Sequence, residues 1–242
     1  MRKYLCVFLL VCLAACSTVL VKKETMGLSD YEILLTFDDG PNPFPGTTDA
    51  LLEVLKKYSI RAVFCLVGKE MAKYPHLVKR IREEGHVIVN HSYSHIPRLT
   101  ARGTSQEIVL WNRALSMAVG TNASSPWFRP PVGLVFWSTQ KGLSSYGIRT
   151  FGVSVFEFDS EYPPGEKENL KKRIIQSLEK QKGGVLVLHD GVQRLYSLRE
   201  EDFTNNHIAN RSFVPSLVEE LVLYFQAKGY VFIDPQVVMG TP

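Results

Sequence analysis

Cysteine is scarce where it could matter for structure. Of the four cysteines in 242 residues, Cys6, Cys12 and Cys16 fall within the first sixteen positions and only Cys65 lies beyond them, so a chain without its leader can form no internal disulfide. Cys65 sits in the apolar stretch Arg61 to Val67, which reads as a buried strand where a free thiol behaves as an inert small hydrophobe. An excess of one charge is missing as well. The 28 basic and 24 acidic residues give +4, and from Tyr31 onward +2 remains, too weak and dispersed for a nucleic-acid partner. No internal repeat and no low-complexity segment is present. At 45% hydrophobic and 21% charged residues, the chain is neither collagen-like, disordered nor a polytopic membrane protein, and its length suits one domain or at most two.

A bilayer-spanning run is also lacking. Arg2 and Lys3 precede an apolar stretch from Tyr4 to Ala15 that is too short to cross a membrane and reads as a signal peptide. Its end, Leu13-Ala14-Ala15-Cys16, resembles the bacterial lipobox, in which the cysteine thiol receives a lipid; an ordinary cleaved signal that happens to end in cysteine is the alternative. The expected layout is a lipoprotein signal peptide at 1–16, a polar tether at 17–30 and one domain at 31–242. The mature protein is then expected to be exported and lipid-anchored through Cys16 to the bacterial cell envelope.

What is present beyond the leader is alternation. Short β-branched and apolar runs at 32–37, 61–66, 86–90, 127–129, 148–155, 184–188 and 230–233 predict strands. Between them, helical periodicity covers 48–58, 75–84, 104–119, 137–146, 166–182 and 213–228, with Gly85, Gly120, Gly147, Gly183 and Gly229 just past the last turns. Seven strands alternating with helices imply a parallel sheet in an α/β barrel or open sheet. Trp111 and Trp137 fall on helical segments and read as packing residues, whereas Trp127 leads toward Arg129 and is expected nearer a site.

Polar residues gather where these strands end, which is where parallel α/β folds build their sites. The first strand stops at Asp38-Asp39-Gly40-Pro41, two adjacent carboxylates that need a positive partner, or simply a turn. The third ends in His91-Ser92-Tyr93-Ser94-His95; if the chain turns helical there, both imidazoles share one face and can converge on a metal together with a neighbouring carboxylate. Arg129 follows a short apolar run and precedes a stiffening double proline, and His189-Asp190-Gly191 closes the most apolar strand.

Together these motifs resemble the polysaccharide deacetylase family, the NodB-homology domain of carbohydrate esterase family 4. Thr36-Phe37-Asp38-Asp39-Gly40, His91-Ser92-Tyr93-Ser94-His95, Arg129-Pro130-Pro131 and Leu188-His189-Asp190 match four of its ordered motifs, and the likeness runs from about Tyr31 to Asp234. The resemblance implies a single-domain, distorted (β/α)7 barrel and metal-dependent removal of acetyl groups from an N-acetylated sugar polymer. Carried over position by position, Asp39, His91 and His95 would bind a divalent metal, most plausibly Zn²⁺, with Co²⁺ or another ion possible. Asp38 would be the general base held by Arg129, and His189 the general acid raised in basicity by Asp159. The backbone N–H of Val132 would stabilise the oxyanion, and Pro131, Val132 and Val187 would contact substrate.

Two departures bear on the substrate. In the fourth motif, Phe156-Glu157-Phe158-Asp159-Ser160 keeps the second aspartate but has Phe156 for the first and Ser160 for the tryptophan that walls the acetyl pocket. The polar stretch 192–211, with Asn205, Asn206 and His207, is longer than the family's usual connection and reads as a lid or a surface loop. The expected partner is an acetylated glycan, with peptidoglycan leading because of the envelope anchor. Chitooligosaccharides, an O-acetyl ester on another glycan, and a non-catalytic glycan-binding lipoprotein are the alternatives.

Overall fold

The computed structural model describes residues 16–44, 46–97, 99–192 and 207–239, with no side chains described for 16–18. The leader at 1–15, the Cys16 thiol and the body of the polar insertion, 193–206, lie outside the described residues.

The framework is a curled, all-parallel sheet. Its strands are β2 (Glu32–Asp38), β3 (Val63–Leu66), β4 (Val87–Asn90), β5 (Trp127–Phe128), β7 (Arg149–Thr150), β8 (Val155–Phe156), β9 (Gly183–His189) and β10 (Val231–Phe232). They run in the order β7-β5-β4-β3-β2-β9-β8, and β10 pairs with the first half of β2. The expected distorted barrel is thus a curled sheet whose edge strands β7 and β8 do not pair. The predicted strand at 148–155 is split between those two edges, with Phe151 to Ser154 crossing the opening.

The segment read as a polar tether fills that opening instead of hanging free. Strand β1 (Cys16–Thr18) pairs antiparallel with β6 (Leu134–Phe136), and Leu20 bridges Val153 in parallel. The Val19 N–H donates to the Gly133 carbonyl at 3.0 Å and the Val153 N–H to the Val19 carbonyl at 2.9 Å. Val19, Met26 and Leu28 are buried, and the buried Lys23 ammonium donates to Asp30 at 2.6 Å. This segment escapes a reading by periodicity because its few apolar residues follow neither the strand nor the helix repeat.

Helices at Thr47–Lys57, Pro75–Glu83, Ala101–Val119, Lys167–Gln181 and Val214–Ala227 cover the outside of the sheet. The pleat sorts each strand by parity. Ile33, Leu35 and Phe37 of β2 pack outward with Leu51, Leu55 and Leu217, whereas Leu34 turns inward with Cys65, Val89 and Val187. Cys65 is therefore interior, and burial pushes its thiol well above the usual range, in keeping with an inert role. Trp111 is buried as expected, and its indole N–H donates to the Leu66 carbonyl at 2.7 Å. Trp137 is not a packing residue: it opens a short helix, Trp137–Ser144, with 71% of its surface exposed and Lys141 Nζ 5.6 Å from its ring. Among the described residues, no helix is long and apolar enough to cross a membrane.

Candidate active site

The parity that builds the core also aims the chemistry. On β2, the inward series Leu34, Thr36 continues to Asp38; on β9, Val185, Val187 continues to His189; and the register places Asp38 opposite His189. On β4, Val87 and Val89 precede His91, and on β5 Trp127 precedes Arg129, so four strand ends turn the same way into one cleft. The cleft has a volume of about 640 Å³ and is lined by Asp38, Asp39, His91, His95, Arg129, Val132, Val187 and His189, with Leu20, Phe156 and Phe158 among its apolar wall. Val192 and Ile208, the described ends of the insertion, line it too.

Asp39, His91 and His95 each present one ligand atom within 4.8 Å of the others. Asp39 Oδ1 lies 3.2 Å from His91 Nε2 and 3.0 Å from His95 Nε2. The expectation that a helical turn aligns the two rings is not met. The histidines converge through a loop in which Ser92 and His95 take left-handed backbone conformations, with φ of 61° and 57°. That loop is held by the buried Glu107, whose carboxylate accepts from the Tyr93 and Ser94 N–H groups at 2.7 Å each and from the Ser94 hydroxyl at 2.7 Å. His91 Nδ1 lies 2.7 Å from the Arg129 carbonyl, which can only accept, so Nδ1 carries a proton. Nε2 is thereby turned toward the Asp39 carboxylate, where a bound cation would be shared by the two. Two imidazoles and one carboxylate with positions left open form the donor set of a divalent metal site, and the residues fit the group.

The base arm is the Asp38–Arg129 pair. Arg129 Nη1 contacts both Asp38 oxygens at 3.0 Å, its Nε donates to the Phe151 carbonyl at 3.0 Å, and both residues are buried. The acid arm is the His189–Asp159 pair. His189 Nδ1 lies 2.7 Å from Asp159 Oδ1, and the His189 backbone N–H donates to Asp159 Oδ2 at 2.8 Å. Burial alone would lower the basicity of His189, but the Asp159 charge and hydrogen bond, with Asp39 and Asp38 beyond, outweigh it and raise the imidazole to about 9. For Asp159, burial works against ionisation and is outweighed by His189 and Arg211, leaving its carboxyl below the usual range.

Loop backbone makes this crowding possible. Eight non-glycine residues have positive φ among the described residues, and Asp39, Ser92, His95, Val132 and Phe158 of these are at the cleft, where local strain belongs to a functional site rather than to the framework. Gly40 and Gly191 let the β2 and β9 tips interlock: a Cβ on Gly40 would lie 2.5 Å from Asp190 Oδ1, and one on Gly191 would fall still closer to the Asp39 carbonyl.

Not every expected contact is in the cleft. Val132 and Val187 line it, but Pro131 is buried behind the loop, and Trp127 packs under Arg149 and against Phe151 away from the cleft lining. Several site residues had no motif to betray them. Glu107 lies mid-helix, and Arg211 sits at the end of the polar insertion, yet its guanidinium reaches Asp159. Leu20 lay in the stretch read as tether. The one available signal was at Glu107, an acid four residues before Trp111 on the packing face of its helix.

A curled parallel sheet with an Asp–His–His cluster between an Asp–Arg and a His–Asp pair defines the class of metal-site hydrolases built on strand ends. The polysaccharide deacetylase profile matches residues 27–151, and the chain belongs to that family. The chain is 33% identical over 179 residues to a chitooligosaccharide deacetylase of Azorhizobium caulinodans, covering 72% of this chain and 80% of that one. It is 31% identical over 174 residues to the peptidoglycan-N-acetylmuramic acid deacetylase PdaC of Bacillus subtilis, covering 71% of this chain but only 35% of that longer protein. The fold is shared with the chitin deacetylase of the fungal pathogen Colletotrichum lindemuthianum, with a TM-score of 0.71 at 21% identity over 88% of this chain and 89% of that one.

Proposed function

We propose that this chain is a metal-dependent N-deacetylase of a GlcNAc-containing polysaccharide. The observation that carries the reading is one cleft holding a three-ligand cluster together with a base pair and an acid pair of opposite polarity. Asp39, His91 and His95 would hold a divalent ion, Zn²⁺ or Co²⁺ being suitable, which would supply Lewis acidity at the acyl carbonyl. Asp38, oriented by Arg129, takes the proton of the attacking water. The Val132 N–H, on a cleft-lining residue with φ of 54°, is the donor assigned to the developing oxyanion. His189, charged at neutral pH through Asp159, gives its proton to the departing amine, and the sugar nitrogen leaves without a covalent enzyme intermediate.

Peptidoglycan is the leading substrate. The lipobox-like Cys16 supports an envelope protein anchored beside that polymer, and relatives named for peptidoglycan and for chitooligosaccharide deacetylation bracket the choice. A purely glycan-binding role is disfavoured because binding alone has no use for Asp38, Arg129 and His189 together. The test treats the adjacent aspartates as different parts. Asp38→Asn is expected to keep stoichiometric metal and lose about 10²–10⁴ in acetate release from purified peptidoglycan. Asp39→Asn is expected to lose metal and activity together. Normal turnover by Asp38→Asn, or equal metal loss in both variants, overturns the assignment.

A further inference from the structure

Among the described residues two arginines are fully buried, and one of them, Arg129, holds the base Asp38. Arg211 is the other. A buried cation is costly unless its charge and donors are all satisfied, and packing alone would be served by an apolar side chain. The guanidinium of Arg211 spends its hydrogen bonds on one small region. Nη2 donates to Asp159 Oδ2, Nη1 to the Asp159 carbonyl at 2.9 Å and the Tyr162 carbonyl at 3.4 Å, and Nε to the His189 carbonyl at 3.1 Å. The guanidinium lies over the Phe213 ring, 4.8 Å from its centroid.

Asp159 is therefore shared between two cations. Oδ1 faces His189 Nδ1 and Oδ2 faces Arg211. The two partners differ in one respect that matters: the guanidinium stays charged at every working pH, whereas the imidazole must both hold and release a proton. Around His189 stand the carboxylates of Asp159, of Asp38 and Asp39 from the β2 tip, and of Asp190 next in the chain, with the Phe156 ring 6.3 Å away. Among the described residues Arg211 pairs with Asp159 as Arg129 pairs with Asp38, and its charge draws on the carboxylate that would otherwise belong to the imidazolium alone.

We propose that Arg211 is a positioning residue acting through Asp159: it keeps that carboxylate ionised and aimed, and it restrains the basicity of His189 so that the imidazolium can surrender its proton to the leaving amine. The proposal rests on the acid role given to His189. Arg211 also stands at the end of the polar insertion, three residues before the helix Val214–Ala227.

The experiment uses the full-length, metal-loaded chain, a soluble GlcNAc tetramer as substrate, and two readouts: the pH dependence of kcat and the titration of the His189 ring by NMR of ¹³C-labelled histidine. Arg211→Gln keeps amide donors for the backbone carbonyls but removes the charge, and is expected to move both the basic limb and the ring titration upward by about one pH unit. Its kcat near neutrality is expected to fall while KM changes little. Arg211→Lys keeps the charge without the fork, and is expected to titrate close to the wild type with a lowered kcat. An unmoved or downward midpoint in Arg211→Gln, or equal shifts in both variants, overturns the proposal. Loss of fold in the charge-conserving lysine variant also overturns it, by making Arg211 a structural pillar alone. Failure of the underlying acid role looks different: His189→Gln would then retain the wild-type basic limb.

Discussion

Replacing Asp159 by Asn removes the charge that makes His189 an acid while leaving a side chain of the same shape. In the wild type the imidazole is held at about 9 against an ordinary value of 6.5, although burial pulls it the other way. With the carboxylate gone, the ring returns to about 6.5 or below. At pH 6 the charged fraction then falls only slightly, but at pH 8 it drops from about nine-tenths to about 3%, a loss of about thirtyfold in rate from protonation alone. The defect of Asp159→Asn is therefore expected to be small in mild acid, to grow about tenfold per unit above neutrality and to level off above about pH 9. Initial rates of acetate release from pH 5 to 10, with metal content checked at each end, measure this. A variant profile parallel to that of the wild type, lowered by one factor at every pH, would refute the reasoning. The same pair appears in stability. Because the folded-state basicity of His189 is raised, its contribution of about 3 kcal/mol is complete below 6.5 and lost as pH rises through about 9. Urea midpoints of the metal-free wild type are expected to fall over that interval, and those of Asp159→Asn are not.

Two further outcomes rest on the geometry and a third on the sequence of the leader. His91→Ala removes one of three ligands from a loop otherwise held by Glu107, so elemental analysis is expected to find the metal lost and circular dichroism the fold retained. Gly40→Ala forces a Cβ to within 2.5 Å of Asp190 Oδ1 and is expected to cost about 1–3 kcal/mol in thermal unfolding, with weaker metal binding from the displaced Asp39. Cys16→Ser is expected to release the protein from membranes or block its processing; unchanged membrane partition and gel mobility remove the lipid anchor.

Much of the cleft was open to a reader of the sequence, because the residues that meet there are few, chemically distinctive and placed at strand ends. Asp38, His91, Arg129 and His189 each follow an apolar run, and the period-2 pleat carries their inward parity from the core to the strand end, whereas Asp39 and His95 enter the cleft through left-handed backbone, with φ of 73° and 57°. What failed was local. The helical turn imagined for His91 to His95 is a loop with left-handed residues, since Glu107, Asn90 and Ser92 supply its hydrogen bonds in place of a helix ladder. Trp137 was misjudged because a helical position does not say which way a first-turn residue faces.

Sequence alone determined the alternation of strands and helices, the strand ends that carry charge, and the ordered motifs that define the family. These are properties of neighbours along the chain, where period and residue chemistry act over a few positions. Tertiary structure alone decided the rest. That Val19 to Val21 seal the opening between β7 and β8, that Glu107 steadies the histidine loop, and that Arg211 shares Asp159 with His189 are all pairings across long sequence separations. Such pairings arise when folding buries a charge or a backbone group and leaves it one available partner, and no local pattern records which partner that will be.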